Sequence, residues 1–387
     1  SGAEYAAPGN EIQKKEGIED SADLFYEDVL KAGGKPELIR VLADKALEGA
    51  NWLAEDPGVE WEDELMFFGG HSVKRSLIPM GASGKEIVTK LLKRVEALGI
   101  PVLLNVKATE LILKDGAVVG VKAEGPDASY TLSAGSVVIA AGGFGASMDM
   151  LHKYAPDMKD VSLSTNNTGA TGDGMMLAEA AGAKLVDMEK VQLYPICNTL
   201  TGALLYADDT RLYGSTIIVN KEGKRFVNEY AERDVLSKAA LDQTDKLFFI
   251  ICDNKIAGRA DVAGMEAKGN VVSADTLKGL AEKLGIPADA FVAEVERYNS
   301  FVENQNDPDF GKPLFGEKID EAPFVATPRS PSLHHTMGGV MIDKDTHVLT
   351  AERQIIPGLY AAGEVVGGLH AGNRLGGNAM TEFLVFG

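Results

Sequence analysis

With 387 residues the chain is long enough for two domains, each with its own core. Hydrophobic residues at 45% and charged residues at 25% are ordinary globular proportions that exclude a disordered chain, and a net charge of −19 without a basic run excludes a nucleic-acid surface, so an anionic ligand needs a local basic cluster. Two cysteines, Cys197 and Cys252, exclude a disulfide framework or cysteine metal site and read as buried inert thiols, and no apolar run reaches bilayer length, so no membrane insertion is expected.

The chain opens on Ser1-Gly-Ala-Glu-Tyr-Ala-Ala-Pro8, a small-residue loop with no strand before it. From Asp20 to Leu53, apolar residues at helical spacing (Leu24, Phe25, Val29, Leu30; Leu38, Val41, Leu42, Ala46, Leu47) predict two core helices punctuated by Gly33-Gly34. A further amphipathic helix is expected from Gly84 to Leu98, then the run Pro101-Val-Leu-Leu-Asn-Val106 and two strands around the turn Lys114-Asp-Gly116. Ser136-Val-Val-Ile-Ala-Ala-Gly-Gly143 reads as a fully buried parallel strand ending in glycines, a usual ligand edge of an α/β sheet. Thr168-Gly-Ala-Thr-Gly-Asp-Gly174 then leads into a helix beginning near Met175, with Asp173 at its start. Around Met188 the pattern changes to mixed short strands and helices, and it returns to strand and glycine near His335. Ile355-Ile-Pro-Gly-Leu-Tyr-Ala-Ala-Gly-Glu364 predicts an apolar strand ending on glycine and acid, and Gly376-Gly377 opens an apolar helix. Glycine lets backbone approach a ligand closely, and a helix start offers free N–H groups to anionic or carbonyl oxygens.

Three late segments, Ser332-Leu-His-His-Thr-Met-Gly-Gly-Val340, Gly358-Leu-Tyr-Ala-Ala-Gly-Glu364 and Gly372-Asn-Arg-Leu-Gly-Gly-Asn-Ala379, together resemble the closing part of the fumarate reductase/succinate dehydrogenase flavoprotein family. The resemblance runs from Gly2 onward. It implies an α/β FAD-binding domain, Rossmann-like and of the glutathione-reductase type, over 1–188 and 336–387. An inserted α+β capping domain at 189–335 is implied as well. The family's opening strand, Gly-x-Gly-x-x-Gly turn and helix are not found here, so the chain is expected to be trimmed and its hold on FAD weakened. Non-covalent FAD contacts are implied for Gly2, Ala3, Val106, Ala141, Gly142, Gly143, Asp173, His335, Gly363, Glu364, Asn378 and Ala379. The histidines His71, His152, His347 and His370 show no metal-ligand spacing, and no metal is expected.

The resemblance also implies a reduction of a carbon–carbon double bond, with hydride from flavin N5. His334 and Arg374 match the residues that grip the substrate carboxylate, and a planar guanidinium suits bidentate binding. Within Lys221-Glu-Gly-Lys-Arg-Phe-Val-Asn-Glu-Tyr-Ala-Glu-Arg-Asp234, Arg233 matches the proton donor. Because arginine is almost always protonated, it needs a relay, and Asp209 stands where the family has the relay glutamate. A further relay arginine falls nearest Leu212, with Arg211 beside it.

At the distal end of the substrate, fumarate reductases use a His and a Thr, where this chain has Tyr194 and Asp208. A phenol and two adjacent acids repel a second carboxylate and suit an imidazole, so the expected substrate is urocanate, reduced to imidazole propionate. Tyr194, Asp209 and Glu4 would receive the ring, with Phe67 as an aromatic face. The alternatives are fumarate or another, aryl, acrylate, and, from a different class, a flavin-free scaffold without activity. An electron-donating redox domain or protein carrying FMN or cytochrome is the implied partner, in anaerobic respiration. The compartment stays open between bacterial periplasm and cytoplasm.

Overall fold

A computed structural model describes residues 2–158, 160–204, 214–258 and 261–387. The chain divides into two compact units. The first comprises Ser1–Lys159, Asn166–Gln192 and His335–Gly387, and the second Asp160–Thr165 and Leu193–His334. The short piece Asp160–Thr165 has no mark in the sequence that assigns it to the second unit; hydrogen bonds decide it, because Leu333 N donates to Leu163 O (2.9 Å) and Thr165 N to Leu333 O (2.8 Å).

In the first unit the two early helices run over Ala22–Ala32 and Pro36–Glu55. Ser21 caps the first, its Oγ accepting from Leu24 N at 3.1 Å, and proline at the first turn starts the second. Leu38, Ile39, Leu42, Ala43, Ala46, Ala50 and Leu53 form its buried stripe. Gly33 and Gly34, at φ +100° and +130°, make more than a turn. A Cβ on Gly34 would lie 2.1 Å from Leu369 O, so the pair lets a distant segment lie on the backbone. Lys35 N donates to Gly368 O and Asn373 N to Ala32 O, both at 2.8 Å, which ties residues 368–373 to the end of the first helix.

The helix Lys85–Ala97 and the antiparallel strands Lys107–Lys114, Ala117–Glu124 and Ser129–Ser133 follow. The apolar residues 100–104 are irregular and exposed. The strand expected to be fully buried is Val137–Ile139, parallel to Ile355–Ala361 but at the end of a three-stranded sheet. Its middle residue, Val138, is 61% exposed, because a strand at the sheet end is paired on one side only and no described residue buries this face, so the expectation of full burial is corrected. The helix Asp173–Ala180 packs closely at its start: a Cβ on Gly174 would meet Ala141 Cβ at 2.7 Å and Ile139 Cγ2 at 2.8 Å.

The second unit is built on a largely antiparallel sheet ordered Ile217–Asn220, Phe248–Cys252, Phe324–Thr336 and Val272–Ala274, with Val191–Asn198 also paired to Phe324–Thr336. Ile217, Val219, Phe249 and Ile251 share one apolar core with Phe291, Val295 and Tyr298 of the helix Ala288–Asn304. Beside it lies a buried ion cluster. Arg225 donates to Glu229 (Nε to Oε1 and Nη2 to Oε2) and through Nη2 to Asp307 Oδ2, all at 2.8 Å. Lys312 Nζ donates to Thr216 O at 2.6 Å and to Tyr298 Oη at 2.9 Å. Both cysteines are buried, and burial pushes the Cys252 thiol up to about 12. No helix among the described residues is long and apolar enough to cross a membrane.

Candidate active site

In the first unit, strand ends and glycine turns converge on Glu364. Thr336 holds its Oε1 twice, from the backbone N–H at 2.9 Å and from the hydroxyl at 3.1 Å. Burial pushes the Glu364 carboxyl up, against the pull of the Thr336 bonds and of Arg374. A Cβ on Gly143 would lie 2.1 Å from Thr336 Oγ1 and 2.4 Å from Glu364 Oε1, so only glycine fits there. Gly142 (φ +75°) has nothing within 4 Å of the place its Cβ would take, and Gly363 turns at φ +82°. His335 is buried, with Nδ1 3.5 Å from Glu364 Oε2. Its ring meets His370 edge-on at 5.8 Å, and His370 Nε2 lies 2.9 Å from Glu382 Oε2. The fold thus gathers His335, His370 and Glu382 from positions with no metal-like spacing.

Arg374 is buried and sits in the segment tied to the early helices. Gln192 clamps the same segment, its Nε2 donating to Asn373 Oδ1 and to Arg374 O, both at 2.8 Å. Gly376 takes Phe68 on its face, where a Cβ would meet Phe68 Cγ at 2.2 Å, and its carbonyl lies 2.9 Å from His71 Nε2. Gly377, at φ +84°, turns the chain into the helix Asn378–Phe386. Asn378 is wholly buried, and neither its Nδ2 nor its Oδ1 has a hydrogen-bond partner among the described residues. Leaving such a group unsatisfied costs about 1–3 kcal/mol. A bound group offering both a donor and an acceptor fits that amide, and FAD carries such groups on its ribityl chain and ring edge.

In the second unit, Tyr194 lies between two partners. The Arg233 guanidinium stands over its ring at 5.0 Å, and the His334 ring is tilted against it at 5.2 Å. Arg233 is the first residue of the helix Arg233–Leu241, and His334 belongs to the strand Phe324–Thr336. Successive strand residues point to opposite faces, so His334 and His335 serve different units. Thr165 Oγ1 lies 2.8 Å from His334 Nδ1.

The remaining expected residues are more scattered. Gly2 and Ala3 precede the short strand Tyr5–Ala6, Ala3 with φ +58°, and the Glu4 carboxylate folds back over Gly2, where a Cβ would lie 1.9 Å from its Oε1. Phe67 is 49% exposed, while its neighbour Phe68 packs on Gly376. Asp173 pairs with Lys107 at 2.8 Å, which holds its carboxyl below the usual range. Val106 and Ala379 are half-buried and Ala141 is exposed. Asp208, Asp209, Arg211 and Leu212 lie outside the described residues. Thr165, Gln192 and Glu382 carry no signal in the sequence, whereas Thr336 lies inside the late segment Ser332–Val340 and His370 stands just before Gly372–Ala379.

Glycines that admit a ligand against the backbone, around a buried acid and an unsatisfied amide, define a flavoprotein of the dinucleotide-binding α/β class. The chain belongs to the FAD binding domain family, whose pattern matches residues 1–380, and FAD is the cofactor that this family binds. It is 41% identical over 402 residues to a urocanate reductase of Eggerthella lenta, covering 100% of this chain and 66% of that protein. With an NADH:acrylate oxidoreductase of Vibrio harveyi it shares 39% identity over 370 residues, 92% of this chain and 36% of that protein. Among solved structures it is similar to the open conformation of a flavocytochrome c3 fumarate reductase, with a TM-score of 0.84 and 36% identity over 99% of this chain and 68% of that one. The chain therefore spans about two thirds or less of the length of these curated relatives.

Proposed function

We propose that the chain reduces the carbon–carbon double bond of an acrylate, urocanate first among them, to give imidazole propionate. The observation that carries this reading is the Tyr194 ring held between Arg233 and His334. It combines an aromatic face and a phenol, suited to an imidazole, with a cation and an imidazole donor suited to a carboxylate and its α-carbon. Relatives named for urocanate and acrylate support the substrate class. In this reading the first unit is the FAD-binding domain and the second the capping domain.

When bound, FAD supplies the hydride for such a reduction. Arg374 holds the acrylate carboxylate through its planar fork and His334 donates to it, so both act where charge gathers in the transition state. Arg233 gives the proton to the α-carbon, and Asp209 returns one to it, since an arginine that stays deprotonated would be very costly. Tyr194 and Asp209, with Glu4, receive the imidazole N–H groups, and Phe67 offers its ring face. Electrons come from a redox domain or protein bearing FMN or cytochrome.

The test is anaerobic reoxidation. The protein is titrated with FAD, reduced with dithionite, and mixed with urocanate or with fumarate while flavin absorbance is followed. Urocanate is expected to reoxidise it the faster. A preference for fumarate would remove the imidazole part of the reading, and FAD uptake without reoxidation by any acrylate would remove the reductase. No FAD uptake would leave the scaffold alternative.

A further inference from the structure

We infer that Gln192 is a positioning residue for Arg374, whose guanidinium it aims by holding the backbone on which that side chain stands. The catalytic consequence rests on the proposed reduction, in which Arg374 holds the acrylate carboxylate; the clamp itself does not. Arg374 lies in residues 373–375, which belong to neither helix nor strand, so no regular ladder of backbone hydrogen bonds fixes its peptide planes. Gln192 is buried at the start of the strand Val191–Asn198 and reaches this stretch with its side-chain nitrogen. Its Nε2 donates to Asn373 Oδ1 and to Arg374 O, both at 2.8 Å. Asn373 N donates in turn to Ala32 O at 2.8 Å, and Leu375 packs on Gly70, where a Cβ would lie 2.4 Å from Leu375 Cδ2. The chain is thus pinned before, at and after Arg374, which sets the direction of its Cα–Cβ bond.

The residue type follows from the acceptors. A backbone carbonyl oxygen only accepts, so the end of the side chain that faces Arg374 O is the NH2, whose two hydrogens match two acceptors. Glutamate would set lone pairs against both oxygens, and methionine or leucine would leave them without this donor. Oε1 of Gln192 then faces away, buried and with no hydrogen-bond partner among the described residues. An unsatisfied buried carbonyl lowers stability, so packing alone would favour an apolar side chain at this position. What the NH2 group holds accounts for the amide. Arg374 is itself buried, and a guanidinium grips a carboxylate with both arms only when its plane and reach are right, so a small displacement of its backbone forfeits the bidentate geometry.

The test compares Q192M, N373A and R374K with the unaltered FAD-loaded protein. Methionine keeps the length of the side chain and lacks the donor. Asn373→Ala removes one of the two acceptors at a half-buried position, and it carries both readouts if Q192M fails to fold. Nitrogen-15 spectra of protein labelled in arginine, with the Arg374 Nε signal assigned by its loss in R374K, read the guanidinium without substrate. That signal is expected to shift or broaden in Q192M, and less so in N373A. In turnover of an acrylate, Q192M should lose about tenfold in kcat/KM and N373A about threefold, the scale of two and of one neutral hydrogen bond, whereas in the R374K background Q192M should lose less than about threefold. An Arg374 signal that stays in place in the variants overturns the inference even if the rate falls, because the loss is then structural. Equal losses from Q192M with and without R374K overturn its catalytic part, since Gln192 would then act through another group. If the unaltered protein turns over no acrylate, the reading of the site fails, and the spectra alone still decide whether Gln192 places Arg374.

Discussion

Replacing Tyr194 by leucine and by phenylalanine separates the work of its ring from that of its hydroxyl. The ring carries the Arg233 guanidinium at 5.0 Å and meets His334 at 5.2 Å, both within the range where such contacts count. A cation over an aromatic face contributes about 0.5–2 kcal/mol, and a tilted ring pair about 0.5–1.5 kcal/mol. Loss of both in Tyr194→Leu should cost about 1–3 kcal/mol in placing Arg233 and His334, or about 5- to 150-fold in kcat/KM. That loss should fall on every acrylate, because it concerns the groups at the carboxylate and the α-carbon. Tyr194→Phe keeps both ring contacts. It should stay within about threefold for fumarate and fall about tenfold for urocanate, whose imidazole loses one hydrogen-bond partner. Steady-state rates with both substrates under anaerobic conditions give the comparison. Equal losses in the two variants would refute the reasoning, as would a leucine variant as fast as the unaltered protein.

Three further changes test the rest of the structure. Arg225→Met strips two wholly buried carboxylates, Glu229 and Asp307, of their shared cation and should cost about 3–5 kcal/mol in urea unfolding; a loss below about 1 kcal/mol would show that the cluster is not a buried ion network. Burial lowers the Lys312 amine from 10.5 to about 8, so between those values the unfolded chain holds this proton more tightly, and stability from this group should rise by about 3 kcal/mol from pH 8 to 10.5 and be lost as pH falls through 8. Lys312→Met should flatten that part of the stability curve, and an unchanged slope would count against it. Asn378→Leu removes a buried amide that has no hydrogen-bond partner among the described residues, so the apoprotein should melt at the same or a higher temperature while FAD binds about tenfold more weakly by titration; unaltered FAD affinity would mean that the amide does not serve the cofactor.

The legible parts of this chain were those in which one residue type has one physical use. The helices Ala22–Ala32 and Pro36–Glu55, the strand Ile355–Ala361 and the turn before Asn378 follow from apolar spacing, a serine cap, a first-turn proline and glycine. The late motifs likewise brought Glu364, Arg374 and Asn378 into view, because strand–glycine–acid and Gly-Gly-Asn orders have few alternative uses. Pairings across the chain were not legible. Gly33-Gly34 reads as a turn until Leu369 O is found against it, and Thr165 or Gln192 is an ordinary polar residue until it is seen at His334 or at the carbonyl of Arg374. The apolar run around Val138 misled for a related reason. A run records that a strand is apolar, whereas burial depends on what lies over each face, and here Val138 stays 61% exposed among the described residues.

Arg233 shows how a broken local rule points to use. It occupies the first position of the helix Arg233–Leu241, where the backbone dipole is positive and where Glu232 supplies no side-chain cap. A cation there is unfavourable by about 0.3–1 kcal/mol, whereas Asp234 in the same turn is the type the position prefers. The Tyr194 face offsets part of that cost, yet an uncharged residue at this first helical position would remove it altogether. A helix start and a guanidinium each favour an anion or a carbon gaining negative charge, which suits the role proposed for Arg233. Deviations of this kind gather where function is built, and the one at the start of this helix supports the role proposed for Arg233.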